Sequence, residues 1–240
     1  MGPRTGTMET GGRRREALVE LGPEPAPEGV IRVLLVEDHE VLATSLAMVL
    51  DREPDLDTVG VAATLAAARR LLVSARPDVV LLDHRLPDGD GVAAIPELLE
   101  LRPEARVVVL TASTADRVLT GAIAAGASGF VSKSRGVADV CAAVRAAAAG
   151  EAVISAEMLA RLLRRLQRRD TPAQPELTGR EVEVLELVAE GLTNAVIAQR
   201  LHLSVHTVRN HIANLSQKLG AHSKLEALAI AVRQGLVAQD

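Results

Sequence analysis

Short apolar runs alternate with amphipathic stretches from residue 31 to residue 149 of the chain. The apolar runs predict β-strands at residues 31–36, 57–62, 79–83, 106–111 and 129–132. Apolar residues at helical spacing follow each run and predict helices at residues 40–51, 64–75, 91–101, 114–125 and 137–149. Strands that alternate with helices build a parallel sheet with helices on both faces, joined by right-handed crossovers. We therefore expect an α/β domain with a doubly wound, five-stranded parallel sheet.

The pattern becomes entirely helical from Leu177 onward. Thr178 and Glu181 have the spacing of a capping box, and later N-caps are expected at Thr193, Ser204 and Ser223. Two short helices joined by a tight turn, as expected over residues 194–213, form a helix-turn-helix. Residues 177–238 are therefore expected to form an all-α domain of four helices.

The remaining segments lack this regular pattern. Residues 1–29 combine Gly, Pro, Arg and Glu with little periodicity, which predicts a disordered tail. Residues 150–176 are expected to be a connector, with a helix at Met158–Arg169 and a Pro-containing linker after it. A chain of 240 residues is long enough for two modest domains, and we expect each domain to have its own core.

Composition narrows the classes of function. The net charge is −4, and the segment from Leu177 to Asp240 has six basic and six acidic residues, so charge alone gives no support for nucleic-acid binding. One Phe and no Tyr or Trp argue against a stacking platform for single-stranded nucleic acid. The lone Cys141 excludes an intramolecular disulfide, and the N-terminus lacks the apolar core of a signal peptide. We therefore expect a cytoplasmic protein.

Chemically active side chains lie at the ends of four predicted strands. Glu37 and Asp38 follow the first strand, Asp83 ends the third, and Thr111 and Lys133 stand at the ends of the last two. Parallel strands bring their carboxyl ends to one edge of the sheet, where such folds place their sites. Clustered carboxylates repel one another, and Mg²⁺ relieves this repulsion while leaving room for phosphate oxygens. We therefore expect Mg²⁺ on Glu37, Asp38 and Asp83. Asp83 could then form an acyl phosphate, with Thr111 as a hydroxyl and Lys133 as a cation beside it.

The predicted helix after Ser204 has one apolar and one polar face. Residues 208, 212, 215 and 219 are apolar at a spacing that anchors a helix in a core. The second helix of a helix-turn-helix presents its polar side to DNA bases, and that side carries Arg209, Asn210 and Ala213. Phosphate contacts are expected from Ser204, Thr207 and Lys218. On periodicity alone, a small helical bundle with an incidental polar face also explains the pattern.

Four motifs follow one another in the first domain: Glu37-Asp38, Asp83 within D-x-R-L-P-x-x-x-G, Thr111-Ala112, and Lys133. With them, residues 31–149 resemble the receiver domain of two-component response regulators. Phe130, the one aromatic residue of the chain, matches the family's switch aromatic. The resemblance implies a flavodoxin-like fold, Asp83 as phosphoacceptor, Mg²⁺ as cofactor, and Thr111 and Phe130 as switch residues. Glu37 stands where many relatives carry Asp, and we expect this to tune metal binding rather than abolish it.

A second set of motifs covers residues 177–238: Leu177-Thr178-x-Arg180-Glu181, Gly191-Leu192-Thr193-Asn194, Leu203-Ser204-x-x-Thr207-Val208-Arg209-x-His211, and Lys218-Leu219-Gly220. This segment resembles the DNA-binding domain of LuxR-type regulators, and the whole chain resembles NarL/FixJ-type response regulators. Val196 departs from the pattern, because relatives usually have a Glu there that completes a second capping box. Its absence should cost that helix about 0.5–1 kcal/mol unless Val196 packs well.

The resemblance implies a transcriptional regulator switched by phosphorylation of Asp83. The partners it implies are double-stranded DNA, a sensor histidine kinase as phosphodonor, and a second copy of the chain, with no membrane. The predicted helix near Leu225–Val232 would be the dimer contact. Self-dephosphorylation is expected, but the chain is not expected to be an enzyme that turns over an external substrate.

Two other functions are open to the sequence. One is a DNA-binding regulator that works without phosphorylation, in which the receiver serves dimerisation or ligand sensing. The complete set of acids, hydroxyl and lysine argues against it. The other is a phosphatase with an aspartyl-phosphate intermediate. Such enzymes place a second acid two residues after the nucleophile, where this chain has Arg85.

Overall fold

The structure is a computed structural model that describes residues 29–112, 116–134, 136–166 and 177–237. Its strands are β1 (Ile31–Val36), β2 (Leu56–Ala62), β3 (Val79–Asp83), β4 (Arg85–Leu86), β5 (Gly89–Asp90), β6 (Arg106–Thr111) and β7 (Gly129–Ser132). Five of them form a parallel sheet in the order β2-β1-β3-β6-β7, and β4 and β5 form a short antiparallel pair. The predicted five-stranded, doubly wound sheet is therefore confirmed.

A helix follows each strand of the sheet, and after the last strand the described chain contains helices without further strands. The first five are α1 (Glu40–Leu50), α2 (Leu65–Ala75), α3 (Gly91–Leu101), α4 (Asp116–Ala124) and α5 (Val137–Ala148). The others are α6 (Ala156–Leu166), α7 (Gly179–Ala189), α8 (Asn194–Leu201), α9 (Val205–Leu219) and α10 (Lys224–Arg233). Within the described residues, no helix combines the length and apolar character needed to cross a membrane.

The central strand β3 explains why the sheet could be read from apolar runs. All five of its residues are buried, because β1 and β6 flank it and helices cover both faces. Side chains alternate between the faces. Val79 and Leu81 point into a cluster with α1 and α5, whereas Val80 and Leu82 point into a cluster with α2, α3 and α4. This packing fixes the carboxyl end of β3, where Asp83 stands.

The apolar cores of the two domains are continuous on one face of the sheet. One apolar cluster includes Leu82 of the sheet, Leu162 of α6, and Leu225 and Leu228 of α10. α6 is the physical reason, because its buried residues Leu159, Leu162 and Leu163 lie between the two domains. α10 packs on α4 and α6 as well as on α9. The C-terminal helices are therefore docked on the α/β domain.

The connector is held to the sheet before α6 begins. Val153 forms a parallel bridge with Gly129, and its carbonyl accepts a hydrogen bond of 2.7 Å from the Phe130 N–H. The predicted helix at 158–169 is observed as α6, which starts at Ala156. Its predicted last residues, the linker after them, and residues 1–28 of the tail predicted at 1–29 lie outside the described residues.

Candidate functional site

Glu37, Asp83 and Lys133 meet at the carboxyl edge of the sheet. The Lys133 Nζ lies 2.7 Å from Asp83 Oδ2 and 2.6 Å from Glu37 Oε2. Thr111 is buried on the neighbouring strand, and its carbonyl accepts the Lys133 N–H at 2.9 Å. Asp38 lies at the exposed rim of this cluster. The structure thus places all five residues that the strand-end pattern singled out at one edge of the sheet.

The loop after β3 is shaped by the motif that follows Asp83. Asp90 caps α3 by accepting the Val92 N–H at 2.8 Å, and Asp88 accepts the Leu65 N–H at 2.8 Å at the start of α2. Gly91 lets α3 begin directly against β3, since a Cβ at position 91 would lie 2.0 Å from the Asp83 carbonyl oxygen. The turn after Asp83 is therefore fixed at the start of α2 and at the start of α3, and this fixes the position of Asp83.

Two carboxylates of the site are buried. Glu37 and Asp83 are 1% and 3% exposed. Burial on its own would lower the pKa of Lys133, but the hydrogen bonds and charges of Asp83 and Glu37 outweigh it and raise that pKa. Lys133 is therefore a cation, and it compensates the two buried carboxylates.

The donor set fits a divalent cation. Glu37, Asp38, His39 and Asp83 each offer a ligand atom, and these atoms lie within 4.8 Å of one another. Glu37 Oε2 is buried and forms an ion pair with the Lys133 ammonium at 2.6 Å. A hard cation bound here would neutralise the carboxylates and bind phosphate oxygens.

Two histidines lie beside the acids, and the sequence patterns indicated no chemical role for either. His39 Nδ1 lies 2.9 Å from Glu37 Oε1 and 3.0 Å from Asp38 Oδ1, and the hydrogen bond with Glu37 is the largest cause of its raised pKa. His84 Nδ1 lies 3.4 Å from Asp83 Oδ1, and neither buried ring nitrogen has a hydrogen-bond partner among the residues that the structure describes. The available signal was their sequence position, directly after Asp38 and directly after Asp83.

Phe130 connects the acidic site with the connector. Its side chain is buried in the apolar cluster that extends into the C-terminal helices. Its neighbour on the sheet is β6, which ends in Thr111, and its backbone N–H is bound by Val153. A displacement of Thr111 and Phe130 would therefore act on the connector directly.

The polar face of α9 looks toward the α/β domain. Ser204 caps α9 by accepting the Thr207 N–H at 3.0 Å, and Val208, Ile212 and Leu215 are buried in the core. The opposite face and the α/β domain border a cavity of about 610 Å³ that is open to solvent, and its lining includes Arg209, Asn210, Ala213, Pro103, Arg106 and Glu151. A cavity of this volume has the size of a small-molecule pocket. It cannot accommodate a DNA duplex.

Lys218 lies in the last turn of α9, and its side chain is partly exposed. Its ammonium is 2.7 Å from Glu181 Oε2, which also accepts the Thr178 N–H at 2.7 Å in the capping box of α7. Lys218 therefore ties α9 to α7 in this conformation.

A polar network joins the two domains beside the cavity. Glu151 accepts the Asn194 N–H at 2.8 Å, and its other oxygen lies 2.9 Å from the Lys224 Nζ. Lys224 also donates to Asn194 Oδ1 at 2.9 Å and is only 8% exposed. The Ser223 hydroxyl donates to the Ala127 carbonyl at 2.8 Å. We call the set Glu151, Asn194 and Lys224 the interdomain latch.

The expected dimer helix is covered within the single chain. Leu225, Ala227, Leu228 and Val232 of α10 are buried. The cover consists of α4, α6, α7 and α9. In this conformation α10 is therefore an intramolecular docking element and offers these residues to no second copy.

Comparison with known proteins agrees with both halves of this architecture. Residues 33–145 match the response regulator receiver domain, and residues 175–231 match the bacterial regulatory proteins of the luxR family. The DNA-binding transcriptional activator DevR/DosR of Mycobacterium tuberculosis is 38% identical over 204 residues, which cover 84% of this chain and 94% of that protein. The transcriptional regulatory protein LiaR of Bacillus subtilis is 35% identical over 210 residues, which cover 87% of this chain and 100% of that protein.

A solved structure of two RcsB dimers bound to two parallel DNAs is similar in fold, with a TM-score of 0.52 and 24% identity over 85% of this chain and 98% of that chain. At that identity the likeness shows the fold alone. The relatives above are similar over nearly their whole length. The chain therefore belongs to the two-component response regulators that join a receiver domain to a LuxR-type DNA-binding domain, and it is a DNA-binding transcriptional regulator.

Proposed function

We propose that Asp83 accepts a phosphoryl group from a sensor histidine kinase or a small phosphodonor, with Mg²⁺ held by Glu37, Asp38 and Asp83. The observation that carries this proposal is the Lys133 ammonium, 2.7 Å from Asp83 and 2.6 Å from Glu37 at the carboxyl edge of the sheet. An Asp83 oxygen attacks phosphorus, the bond between phosphorus and the donor's imidazole nitrogen breaks, and that nitrogen keeps the electron pair. Mg²⁺, when bound, supplies charge neutralisation for the phosphate oxygens.

The residues around Asp83 would respond to the phosphoryl group. The group adds charge and acceptor oxygens, for which the Lys133 ammonium and the Thr111 hydroxyl are the donors at hand. Movement of Thr111 toward it would carry Phe130 along, and Val153 is bound to the Phe130 backbone at 2.7 Å. Phosphorylation would thus shift the population between two arrangements of the connector. Water would later hydrolyse the acyl phosphate, so no external substrate is turned over.

The DNA-binding domain would be the output of this switch. In the closed arrangement its base-reading residues Arg209, Asn210 and Ala213 face the cavity. These residues and the phosphate-contacting Ser204 are exposed to water, but the α/β domain lies across the cleft from them. Opening would give a duplex access to this face and to Thr207, and it would free α10 to pair with a second copy. A dimer would read two half-sites on cytoplasmic duplex DNA, about one helical turn apart. We assign residues 31–149 to the receiver, 150–176 to the connector and 177–238 to the DNA-binding domain.

The first test is phosphorylation with acetyl phosphate and Mg²⁺. Intact mass detects the acyl phosphate, sedimentation reports the oligomeric state, and selection from a random-sequence duplex library reports DNA binding. The wild type should take up one phosphoryl group, dimerise and bind DNA more tightly. Asp83→Asn should do none of these, and the control Asp57→Asn, at an exposed acid of β2, should behave as the wild type.

Lys133→Gln, in the same assay, tests how much the Lys133 ammonium contributes to the rate of phosphoryl transfer. Removal of one positioned donor in a reacting site costs about 100-fold in rate or more. We therefore expect Lys133→Gln to acquire phosphate at least about 100-fold more slowly. If the wild type binds DNA equally well with and without phosphodonor, the receiver serves a phosphorylation-independent regulator and the proposal fails.

A further inference from the structure

The cavity between the two domains lies away from the acidic site. Arg106 begins β6 and Ser128 directly precedes β7, so the cavity borders the amino edge of the sheet, whereas Asp83 stands at the carboxyl edge. The polar side of α9 and the start of α10 form the facing wall. Both domains therefore build a cavity that takes no part in the chemistry proposed for Asp83.

The described lining residues carry mostly positive charge, in a protein whose net charge is −4. Arg106, Arg209 and Lys224 are basic, and Glu151 is the acidic residue among them, 2.9 Å from Lys224. Within the described residues Arg106 pairs with no carboxylate; its guanidinium donates to the His222 carbonyl at 3.1 Å, and burial lowers the pKa of Arg106. A guanidinium can bind a carboxylate or a phosphate through two parallel hydrogen bonds. The cavity therefore favours an anionic ligand.

Asn194 gives an independent reason to expect a ligand in the cavity. It lines the cavity and is only 1% exposed. Its Oδ1 accepts a hydrogen bond from Lys224 at 2.9 Å, whereas its Nδ2 is buried and has no hydrogen-bond partner in the part of the chain that the structure describes. Buried amide groups are ordinarily paired, because an unsatisfied buried donor costs free energy. An acceptor oxygen of a bound molecule would satisfy this donor.

The size and the remaining lining of the cavity indicate the class of the ligand. Its volume of about 610 Å³ lies in the range of small-molecule pockets. The lining also includes Ser128, Asn210, Ser216 and Gln217, whose side chains can donate to and accept from hydroxyl groups. Phe130, the one aromatic residue of the chain, is not in the lining, so none of the described lining residues can stack on a base. These features fit a compact anion with several hydroxyl groups.

We propose that this cavity binds a small hydroxylated anion, a sugar phosphate or a hydroxy acid, and that the bound molecule opposes DNA binding. Arg106 of the α/β domain and Asn194 of the DNA-binding domain contact the same molecule, so it binds the closed arrangement and shifts the population toward it. Arg209 and Asn210 also line the cavity, so the bound molecule and a DNA duplex exclude each other. This competition rests on the proposed base-reading role of Arg209 and Asn210, whereas binding of the anion does not.

The test uses ribose 5-phosphate and citrate as probes on the full chain, without Mg²⁺. Calorimetry gives the affinity, and mass spectrometry after reaction with phenylglyoxal shows which arginines a bound probe protects. At least one probe should bind once per chain and protect Arg106 and Arg209 but not Arg70, an exposed residue of α2. The probe that binds identifies the anionic group as phosphate or carboxylate. Inorganic phosphate should bind at least about 10-fold more weakly, because it forms fewer hydrogen bonds. If neither probe protects Arg106 and Arg209 at millimolar concentration, or inorganic phosphate binds equally well, the proposal is wrong.

Arginine variants test the contact in the α/β domain. Arg106→Gln should bind the probe at least about 10-fold more weakly, because a hydrogen bond between charged groups is lost. Arg70→Gln removes the same charge from an exposed position outside the cavity and should bind as the wild type does. Arg106 also holds the His222 carbonyl, so small-angle X-ray scattering without probe checks that Arg106→Gln keeps the closed arrangement. If Arg106→Gln is closed and binds the probe as tightly as the wild type, Arg106 does not contact the anion and the proposed site is wrong.

DNA binding measures the consequence and separates this inference from the proposed function. At about ten times its Kd, the probe should weaken DNA binding by the wild type about 10-fold, because only the free chain binds DNA. A probe that binds and leaves DNA affinity unchanged contradicts the competition. A chain that accepts phosphate on Asp83 but binds neither probe overturns this inference alone. A chain that binds a probe but accepts no phosphate overturns the proposed phosphorylation alone.

Discussion

Glu181 is a buried carboxylate that joins two helices of the DNA-binding domain. It accepts the Thr178 N–H at 2.7 Å and lies 2.7 Å from the Lys218 ammonium. Burial would raise the pKa of Glu181, but the hydrogen bonds from Lys218 and Thr178 outweigh burial and lower that pKa. The ionised carboxylate is therefore the form that stabilises the fold.

We expect Glu181→Gln to lower the free energy of unfolding by about 1–2 kcal/mol at pH 7, because a hydrogen bond to a charged group is lost. A carboxyl with a lowered pKa stabilises the fold above its ordinary pKa, about 4.3, and loses that contribution as pH falls through the lowered value. The difference between variant and wild type should therefore shrink below about pH 4. Urea unfolding at several pH values measures this difference in the free energy of unfolding. Glu186→Gln, at an exposed position of the same helix, is the control; a difference that stays constant with pH would contradict the role of Glu181.

At the scale of elements, β3 and α3 meet without space between them. A Cβ at position 91 would lie 2.0 Å from the Asp83 carbonyl oxygen, so Gly91→Ala must push α3 away from the strand. We expect a loss of about 1–3 kcal/mol in the free energy of unfolding, the usual cost of overpacking. Phosphate uptake should also slow, because Asp83 moves with the strand end. Thermal unfolding and the acetyl phosphate assay measure the two effects. Gly179→Ala, where a Cβ meets nothing within 4 Å, should be neutral in both.

The elements of the fold were predictable because a buried strand has an apolar sequence and because strands and helices alternate along the chain. β3 is buried on both faces and therefore reads as an unbroken apolar run, and Asp83 and Lys133 could be found because each stands at the end of such a run. The interdomain latch could not be found in this way. Its partners are 43 and 73 residues apart, and no local pattern links Glu151 to α8 or α10. His39 was missed for a related reason, since its reach toward Glu37 depends on the direction in which α1 leaves the strand.

Val196 weakens the N-terminus of α8, and a contact from the connector stabilises the same N-terminus. It leaves α8 without the second capping box, and it is 38% exposed, so packing does not compensate. Glu151 instead places a carboxylate at the α8 N-terminus, by accepting the Asn194 N–H. A negative charge at a helix N-terminus is stabilising. In the closed arrangement, α8 is therefore completed by the connector.

At the scale of the whole molecule, the interdomain latch holds the closed arrangement. Burial lowers the pKa of Lys224, and its charge is compensated by Glu151. Glu151→Ala leaves that charge buried without its carboxylate, which typically costs about 3–5 kcal/mol. Separation of the two domains exposes the Lys224 ammonium to water and so removes this cost. We therefore expect Glu151→Ala to bind DNA at least about 10-fold more tightly than the wild type without phosphodonor, and to show a larger radius of gyration in small-angle X-ray scattering.

The double variant Glu151→Ala with Lys224→Met is the matched control. Replacing both members of a buried ion pair with apolar groups is often neutral. The double variant should therefore bind DNA more weakly than Glu151→Ala and be more compact, while the Asn194 N–H still lacks its Glu151 acceptor. DNA binding by Glu151→Ala that equals that of the wild type would contradict the role of the latch.

On the proposed function, the docked position of α10 would also make output depend on how many copies of the chain a cell contains. The apolar residues that α10 buries against α4 and α6 lose that cover when the domains part. An uncovered apolar face is costly in water, so an opened chain gains by meeting another opened chain. The amount of paired protein then rises with the square of the concentration of opened chains. A small rise in expression, at constant stimulus, would therefore be amplified into a steep rise in promoter occupancy.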